Sequence, residues 1–253
     1  MLQKRLLSSL LGLACLASLN AQTPLRVAAA ADLEPVLPPI LAQFNQATGS
    51  QAQATFQASA VLTTQIENGA PFDLFLSADL GYPRRLIDAG LGDGPAPVTY
   101  AKGTLVLWTR KDSHLPPPSL DLLRNPDLKR LAVANPDRAP YGKAALAALT
   151  SLKLYDQLKP RLVTAENISQ TAQFVDSGNA DAGMISLTSA LTPRLSADGA
   201  YFVIPRDLYP PIEQGAVIVS NTTQRAAAQK LLDYLLSTPI QAQLANSGLT
   251  PVH

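Results

Sequence analysis

Short apolar runs along this chain alternate with longer segments in which apolar residues recur every three or four positions. The short runs are typical of buried strands, and the longer spacing is typical of amphipathic helices. In the first example, a strand at residues 25–27 is followed by four alanines, by Asp32 and by a helical pattern over 33–49. This alternation predicts an α/β protein with mainly parallel sheets.

The alternation continues to the C-terminus, and the length suits one large domain or two lobes of about 100 residues each. Further strands are predicted near residues 53–56, 72–77, 103–110, 130–134, 162–166, 181–186 and 215–220. Further helices are predicted near 61–68, 82–89, 143–152, 170–177, 223–236 and 239–247.

Prolines interrupt the helical pattern that follows the first strand. Pro35 fits a first helical turn, but Pro38 and Pro39 each remove a backbone donor, and Pro39 disfavours the α conformation at Pro38. We therefore expect a short turn near residue 33, a break, and a helix that begins near Pro39 and ends at Gly49. Asp32 is a favourable N-cap residue, so its side chain is expected to cap the first turn.

Small residues stand directly before a helix in the first two strand–helix units, at residues 28–31 and at Ser59. The N–H groups and the dipole at a helix N-terminus attract anions, and small side chains leave room for one. Two successive units of this kind favour an anion-binding site. Tyr141, just before the helix predicted at 143–152, can offer its N–H and its phenol in the same way.

Residues 1–21 have the features of a secretory signal peptide, with Lys4 and Arg5 before an apolar run at 6–16 and a plausible cleavage position at Ala21. Export is therefore expected. The sole cysteine, Cys15, lies in this segment, so the mature chain is expected to have neither a disulfide nor a cysteine metal site. A lipoprotein in which Cys15 is lipidated is the alternative.

Charge and motifs argue against nucleic-acid binding and catalysis. Without Lys4 and Arg5 the chain has 20 − 2 = 18 basic and 19 acidic residues, and no basic patch with interleaved aromatics. The GxSxG, HExxH and Walker motifs are missing, and the GLGDG at 90–94 follows a helix instead of a strand. His114 and His253 lack metal-ligand spacing. We expect no enzyme, no catalytic residue and no cofactor.

The segment GAPFDLFLSAD at 69–79 resembles a signature of the molybdate-binding proteins of ABC transporters, a family of periplasmic solute-binding proteins. Residues 28–33 lie where the first ligand loop of that family lies, and the similarity runs from about Leu25 to the C-terminus. The resemblance implies a type II periplasmic binding protein with a ligand cleft between two α/β lobes. Lobe 1 would comprise 22–103 and 215–253, and lobe 2 would comprise 104–214.

The resemblance also implies a ligand, molybdate or tungstate, bound as the oxyanion without direct protein–metal bonds. Hydrogen bonds from N–H groups and hydroxyls, without an Arg or Lys, would hold it. The contacts implied are Ala31, Asp32, Ser59, Tyr141 and Ile168. The protein would act as a periplasmic monomer that presents its ligand to a membrane permease.

Asp32 departs from the family pattern, which has Ser or Asn at this position. An ionised carboxylate only accepts hydrogen bonds, and each like-charge pair at about 4 Å costs about 4 kcal/mol at an effective dielectric near 20. Either Asp32 turns back to its own helix and offers only its N–H, or the ligand differs. The alternatives are sulfate or another oxyanion, a small organic acid, which would favour an Arg clamp that these loops lack, and an exported enzyme.

Overall fold

The computed structural model describes residues 23–252, which form two five-stranded sheets flanked by helices. The strand order is β2-β1-β3-β10-β4 in the first sheet and β7-β6-β8-β5-β9 in the second. We call the first sheet with its helices lobe 1 and the second sheet with its helices lobe 2. The predicted signal peptide at 1–21, Cys15 and His253 lie outside the described residues.

The strands and helices of the described residues are numbered in chain order, and the chain passes from lobe 1 to lobe 2 after β4 and back after β9. The strands are β1 (Leu25–Ala30), β2 (Ala52–Gln57), β3 (Leu74–Ser77), β4 (Val98–Gly103), β5 (Leu105–Arg110), β6 (Leu131–Ala134), β7 (Leu162–Ala165), β8 (Ala182–Ser186), β9 (Gly199–Val203) and β10 (Ile212–Ile218). The helices are α1 (Leu37–Thr48), α2 (Ser59–Glu67), α3 (Gly81–Asp88), α4 (Pro140–Ser151), α5 (Tyr155–Leu158), α6 (Ile168–Asp176), α7 (Leu187–Ala190), α8 (Pro193–Asp198), α9 (Arg225–Leu236) and α10 (Thr238–Asn246).

Four of the five strands in each sheet run in one direction. The exceptions are β10 in lobe 1 and β5 in lobe 2, each of which pairs antiparallel with both neighbours. Each exception is the strand that the chain enters directly after it crosses from the other lobe. The predicted α/β architecture with mainly parallel sheets is therefore confirmed.

Each sheet is buried on both faces, as a parallel sheet requires. On β1, Val27 and Ala29 pack with α1 and α9, whereas Ala28 packs with Leu62 of α2 on the opposite face. In lobe 2, the indole of Trp108 is fully buried and donates to the carbonyl of Leu195 at 3.2 Å.

The crossings between the lobes are short. The chain leaves β4 at Gly103 and enters β5 at Leu105, and it returns from β9 to lobe 1 at Ile212, the first residue of β10. The lobe boundary predicted between residues 214 and 215 thus falls inside β10. Both crossings lie at the junction of the lobes, so they constrain the position of one sheet relative to the other.

One predicted boundary near the junction is wrong. The alanines at 28–30 belong to β1 instead of a turn, because these residues pair with β2 on one side and β3 on the other. The predicted short turn, break and new helix are confirmed, with a 3-10 turn at Ala31–Leu33 and α1 beginning at Leu37, since a first turn tolerates prolines that lack an N–H. As predicted, Gly49 ends α1 with a left-handed φ of 71°.

Candidate functional site

A small cavity lies between the lobes, at the carboxyl ends of the parallel strands, where α/β proteins bind ligands. The cavity is narrow in this structure: the volume in which the centre of a water molecule can lie is about 10 Å³. The lining includes Ala31, Asp32, Ser59, Tyr141, Ile168, Gln57 and Asn167. All five predicted contact residues are therefore brought together, although they come from four strand–helix segments and span 138 positions of sequence.

Helix N-termini from both lobes point at this cavity. Ser59 and Ile168 are the first residues of α2 and α6, and Tyr141 is the second residue of α4. The N–H groups of residues at the start of a helix have no partner inside the helix. No acceptor for these three N–H groups is found among the described residues. Three donors and three positive dipole ends thus face one buried space.

Tyr141 lies inside α4, not before it as predicted, because the helix starts at Pro140. Gly142 makes this start possible. A Cβ atom at Gly142 would lie 2.8 Å from the carbonyl carbon of Ala134 at the end of β6. Only glycine therefore lets the first turn of α4 approach the strand closely enough to place the N–H of Tyr141 at the cavity.

The Ser59 hydroxyl is held by a single contact that leaves its proton available. Its Oγ accepts a hydrogen bond from the N–H of Ala78 at 3.1 Å, and the side chain is 1% exposed. A serine hydroxyl can accept and donate at the same time. Ser59 is thus oriented from behind by the loop after β3 and can donate its proton into the cavity.

We expect Ser59→Ala to weaken oxyanion binding by about 1.5 to 3 kcal/mol, the usual contribution of a hydrogen bond to a charged group. The N–H of residue 59 stays in place, so the loss measures the hydroxyl alone. Calorimetric titration should show this loss, and the melting temperature of the unliganded protein should fall modestly, because the buried N–H of Ala78 loses its acceptor. Thr63→Ala is the matched control, because the Thr63 hydroxyl on the same helix donates to the carbonyl of Ser59. Equal affinities of Ser59→Ala and the unmodified protein would remove Ser59 from the site.

The predicted helix-capping role of Asp32 is wrong. The residue lies within the 3-10 turn Ala31–Leu33, whose N-cap is Ala30, and no side chain caps that turn. The carboxyl group is fully buried. Its Oδ2 accepts from the Tyr141 hydroxyl at 3.2 Å and from the Gln214 amide, and these two donors replace the backbone N–H groups that a cap would use.

The environment of the Asp32 carboxyl group is unfavourable for a negative charge. Its Oδ1 is buried and has no hydrogen-bond partner among the described residues. Burial raises the pKa of Asp32 from 3.8 to about 7, although hydrogen bonds from Gln214 and Tyr141 act to lower it. The same burial raises the pKa of the Tyr141 phenol well above its usual value of 10, so Tyr141 remains a donor.

The phenol of Tyr141 is engaged with Asp32, so this structure does not show it pointing at an anion. Positive side chains are also absent from the cavity lining, which contains neither Arg nor Lys among the described residues. Lys143 lines a neighbouring pocket that shares Ala78 and Pro140 with this cavity, and its Nζ lies 4.0 Å from Asp79 and 4.9 Å from the centre of the Tyr82 ring. Any anion in the cavity must therefore be held by neutral donors.

Hydrogen bonds across the cavity hold the lobes together. Ser169 donates to the carbonyl of Ala31 at 2.8 Å, and Thr188 donates to the carbonyl of Asp32 at 2.7 Å. The N–H of Ala60 in α2 donates to the carbonyl of Arg138 in lobe 2 at 3.1 Å. Asn167 caps α6, one of two caps that the sequence allowed.

The sequence reasoning did not identify Gln214 or Thr188 as part of this junction. No local signal marks either residue, because their partner Asp32 lies 182 and 156 positions away. Two further features are absent from the described part of the chain: a group of three or more His, Cys, Asp or Glu that could hold a metal, and a helix suited in length and hydrophobicity to crossing a bilayer.

Comparison with known proteins identifies relatives over most of the chain. A family model described as bacterial extracellular solute-binding protein matches residues 25–250. The molybdate-binding protein ModA of Azotobacter vinelandii is 37% identical over 225 residues, which is 89% of each chain. The structure of the Azotobacter vinelandii periplasmic molybdate-binding protein has a TM-score of 0.85, with 30% identity over 90% of this chain and all of that chain.

A more distant structure shares only the fold. The sulfate-binding protein SubI from Mycobacterium tuberculosis has a TM-score of 0.76 and 18% identity, and the match covers 91% of this chain and 88% of that chain. Similar lobes therefore occur in proteins named for different oxyanions.

Proposed function

Because the chain belongs to the bacterial extracellular solute-binding proteins, and its relatives include molybdate-binding proteins, we propose that it captures molybdate or tungstate between its lobes. The ligand is held by N–H groups and hydroxyls at helix N-termini. The loaded protein is a periplasmic monomer that delivers the oxyanion to the membrane permease of an ABC importer. It has no catalytic activity, cofactor or nucleic-acid partner.

One observation carries this proposal: unpaired donors from both lobes converge on one cavity whose lining, among the described residues, has no Arg or Lys. The N–H groups of Ser59, Tyr141 and Ile168 and the hydroxyl of Ser59 supply four donors. A tetrahedral oxyanion offers acceptors in all directions, so donors from both lobes can bind it at once. Closure of the lobes then removes the ligand from water, which strengthens each charge-assisted hydrogen bond.

The second candidate ligand is sulfate, because its shape and charge match the same donor set and a sulfate-binding protein shares the fold. A small organic acid fits less well, since a carboxylate ligand is usually clamped by a bidentate Arg and the cavity lining has none. Molybdate is favoured over sulfate by the 37% identity to a molybdate-binding protein across 89% of the chain.

We expect molybdate and tungstate to raise the melting temperature of the mature protein, since a ligand that binds only the native state stabilises it. At a ligand concentration one hundred times the dissociation constant the gain is about 2.7 kcal/mol, or about 5 to 10 °C for a domain of this size. A thermal-shift panel should compare molybdate, tungstate, sulfate, phosphate and a set of small organic acids.

Chloride at equal ionic strength is the control for nonspecific salt effects in this panel. A transition that millimolar molybdate leaves unmoved while sulfate shifts it would show that the ligand is sulfate. A shift with an organic acid alone would reject the oxyanion proposal altogether.

A further inference from the structure

Asp32 presents a buried carboxyl group to the cavity in which the proposed ligand is a dianion. Its Oδ2 is occupied by the donors Tyr141 and Gln214, and its Oδ1 has no partner among the described residues. An unpaired buried oxygen of this kind needs an explanation, because desolvation without a hydrogen bond is costly. This oxygen belongs to a residue that lines the cavity, so a ligand bound there is a candidate partner for it.

The groups that surround Asp32 offer no positive charge. Asp32 accepts hydrogen bonds from the Tyr141 phenol of α4 and the Gln214 amide of β10. The fully buried Tyr100 of β4 is the third polar neighbour. Its pKa is raised mainly by burial and to a smaller extent by the charge of Asp32. From α6 and α7 the hydroxyls of Ser169 and Thr188 approach only the carbonyl groups of this turn. An ionised Asp32 would therefore face the dianion without a compensating positive charge from the described residues.

We propose that the Asp32 carboxyl group carries a proton when the cavity is filled and donates it from Oδ1 to an oxygen atom of the bound oxyanion. Binding of the dianion then takes one proton from solvent, and the carboxylate becomes a neutral acid without any change in covalent bonds to the ligand. The protonated group accepts at Oδ2 and donates at Oδ1, so every polar atom of the side chain is satisfied. This inference rests on the proposed function.

The titration range of Asp32 makes this coupling measurable. Burial places the pKa of Asp32 at about 7 in the unliganded protein, so most of the group is protonated at pH 6 and little of it at pH 8. Affinity should be nearly constant below pH 7 and should weaken by about tenfold for each pH unit above it, because binding then requires proton uptake.

The test is calorimetric titration of the full mature protein with molybdate at several pH values between 6 and 9, in buffers of different ionisation enthalpy. We expect uptake of nearly one proton per ligand at pH 8 and almost none at pH 6. Asp32→Asn keeps a donor in place of the acid, so its affinity should be independent of pH and its proton uptake should vanish.

Glu34→Gln is the matched control, because Glu34 lies in the same segment but is exposed to solvent. It should keep the full pH dependence and proton uptake of the unmodified protein. Molybdate binding without proton uptake at pH 8 in the unmodified protein would overturn the inference and leave the proposed function standing. Proton uptake that persists in Asp32→Asn would also overturn the inference and leave the proposed function standing. Failure of the unmodified protein to bind molybdate at any pH would overturn both.

Discussion

Asp32→Asn is expected to stabilise the unliganded protein by about 4 kcal/mol at pH 8 and to have almost no effect near pH 4. The pKa of Asp32 is about 7 in the folded protein against 3.8 for the ordinary side chain. The folded state therefore binds the proton more tightly than the unfolded state, and stability is lost as pH rises from about 4 to about 7. Asparagine has almost the shape of the protonated acid and carries no such cost at any pH.

Urea unfolding of both proteins at intervals between pH 4 and pH 9 measures this difference. The difference in unfolding free energy should grow through the interval and become constant above about pH 7. Glu34→Gln removes an exposed carboxyl two positions away and should show no comparable rise. A difference that is the same at every pH would mean that Asp32 ionises normally in the folded protein.

Gly142→Ala is expected to lower both the stability of the protein and its affinity for the oxyanion. The added methyl group would lie 2.8 Å from the carbonyl carbon of Ala134 and 2.9 Å from that of Asn135. These are backbone atoms that cannot rotate away, so the first turn of α4 must move. Overpacking of this kind costs about 1 to 3 kcal/mol, and the displaced N–H of Tyr141 should weaken binding by at least about tenfold.

Gly81→Ala is the matched control, because Gly81 also lies in the first turn of a helix, α3, and its added Cβ would lie 3.7 Å from the nearest Asp79 atom. This ordinary contact should leave both unfolding and binding unchanged. Chemical denaturation and molybdate titration of the two variants give the comparison. If Gly142→Ala binds as tightly as Gly81→Ala, the close approach of α4 to β6 is not required for the site.

Much of this architecture is encoded locally and was predictable. Apolar runs mark the strands, Gly49 marks the end of α1, and the small residues before α2 mark a helix start that is open to an anion. These signals depend on neighbours within a few positions, so one sequence is enough to read them. The set of five predicted contact residues came from the family resemblance, and each of the five stands at a strand end or a helix start beside the cavity.

The direction of the Asp32 side chain was not predictable in this way. A local rule places an aspartate at the start of a helix as its cap, but Tyr141 and Gln214, 109 and 182 positions away, take its carboxyl group instead. The prediction of a turn at the alanines of β1 was wrong for a related reason. Sequence alone favours a turn or a helix for a run of alanines, whereas pairing with β2 and β3 places these residues in a strand.

The donors at the cavity, rather than the fold, decide what the protein binds. The fold occurs in a sulfate-binding structure at 18% identity, so lobes of this shape accept more than one anion. The cavity of this chain adds a feature that fold comparison does not reveal, the buried carboxyl group of Asp32 among neutral donors. We expect the helix N-termini and this acid together to contact the proposed ligand.

Calorimetric titration of the mature protein with molybdate, repeated in the presence of excess sulfate, distinguishes the two candidate oxyanions. We expect one molybdate per chain at pH 6, with an affinity that millimolar sulfate leaves almost unchanged and that Ser59→Ala weakens. Absence of molybdate binding at millimolar ligand, together with saturable binding of sulfate, would contradict this expectation.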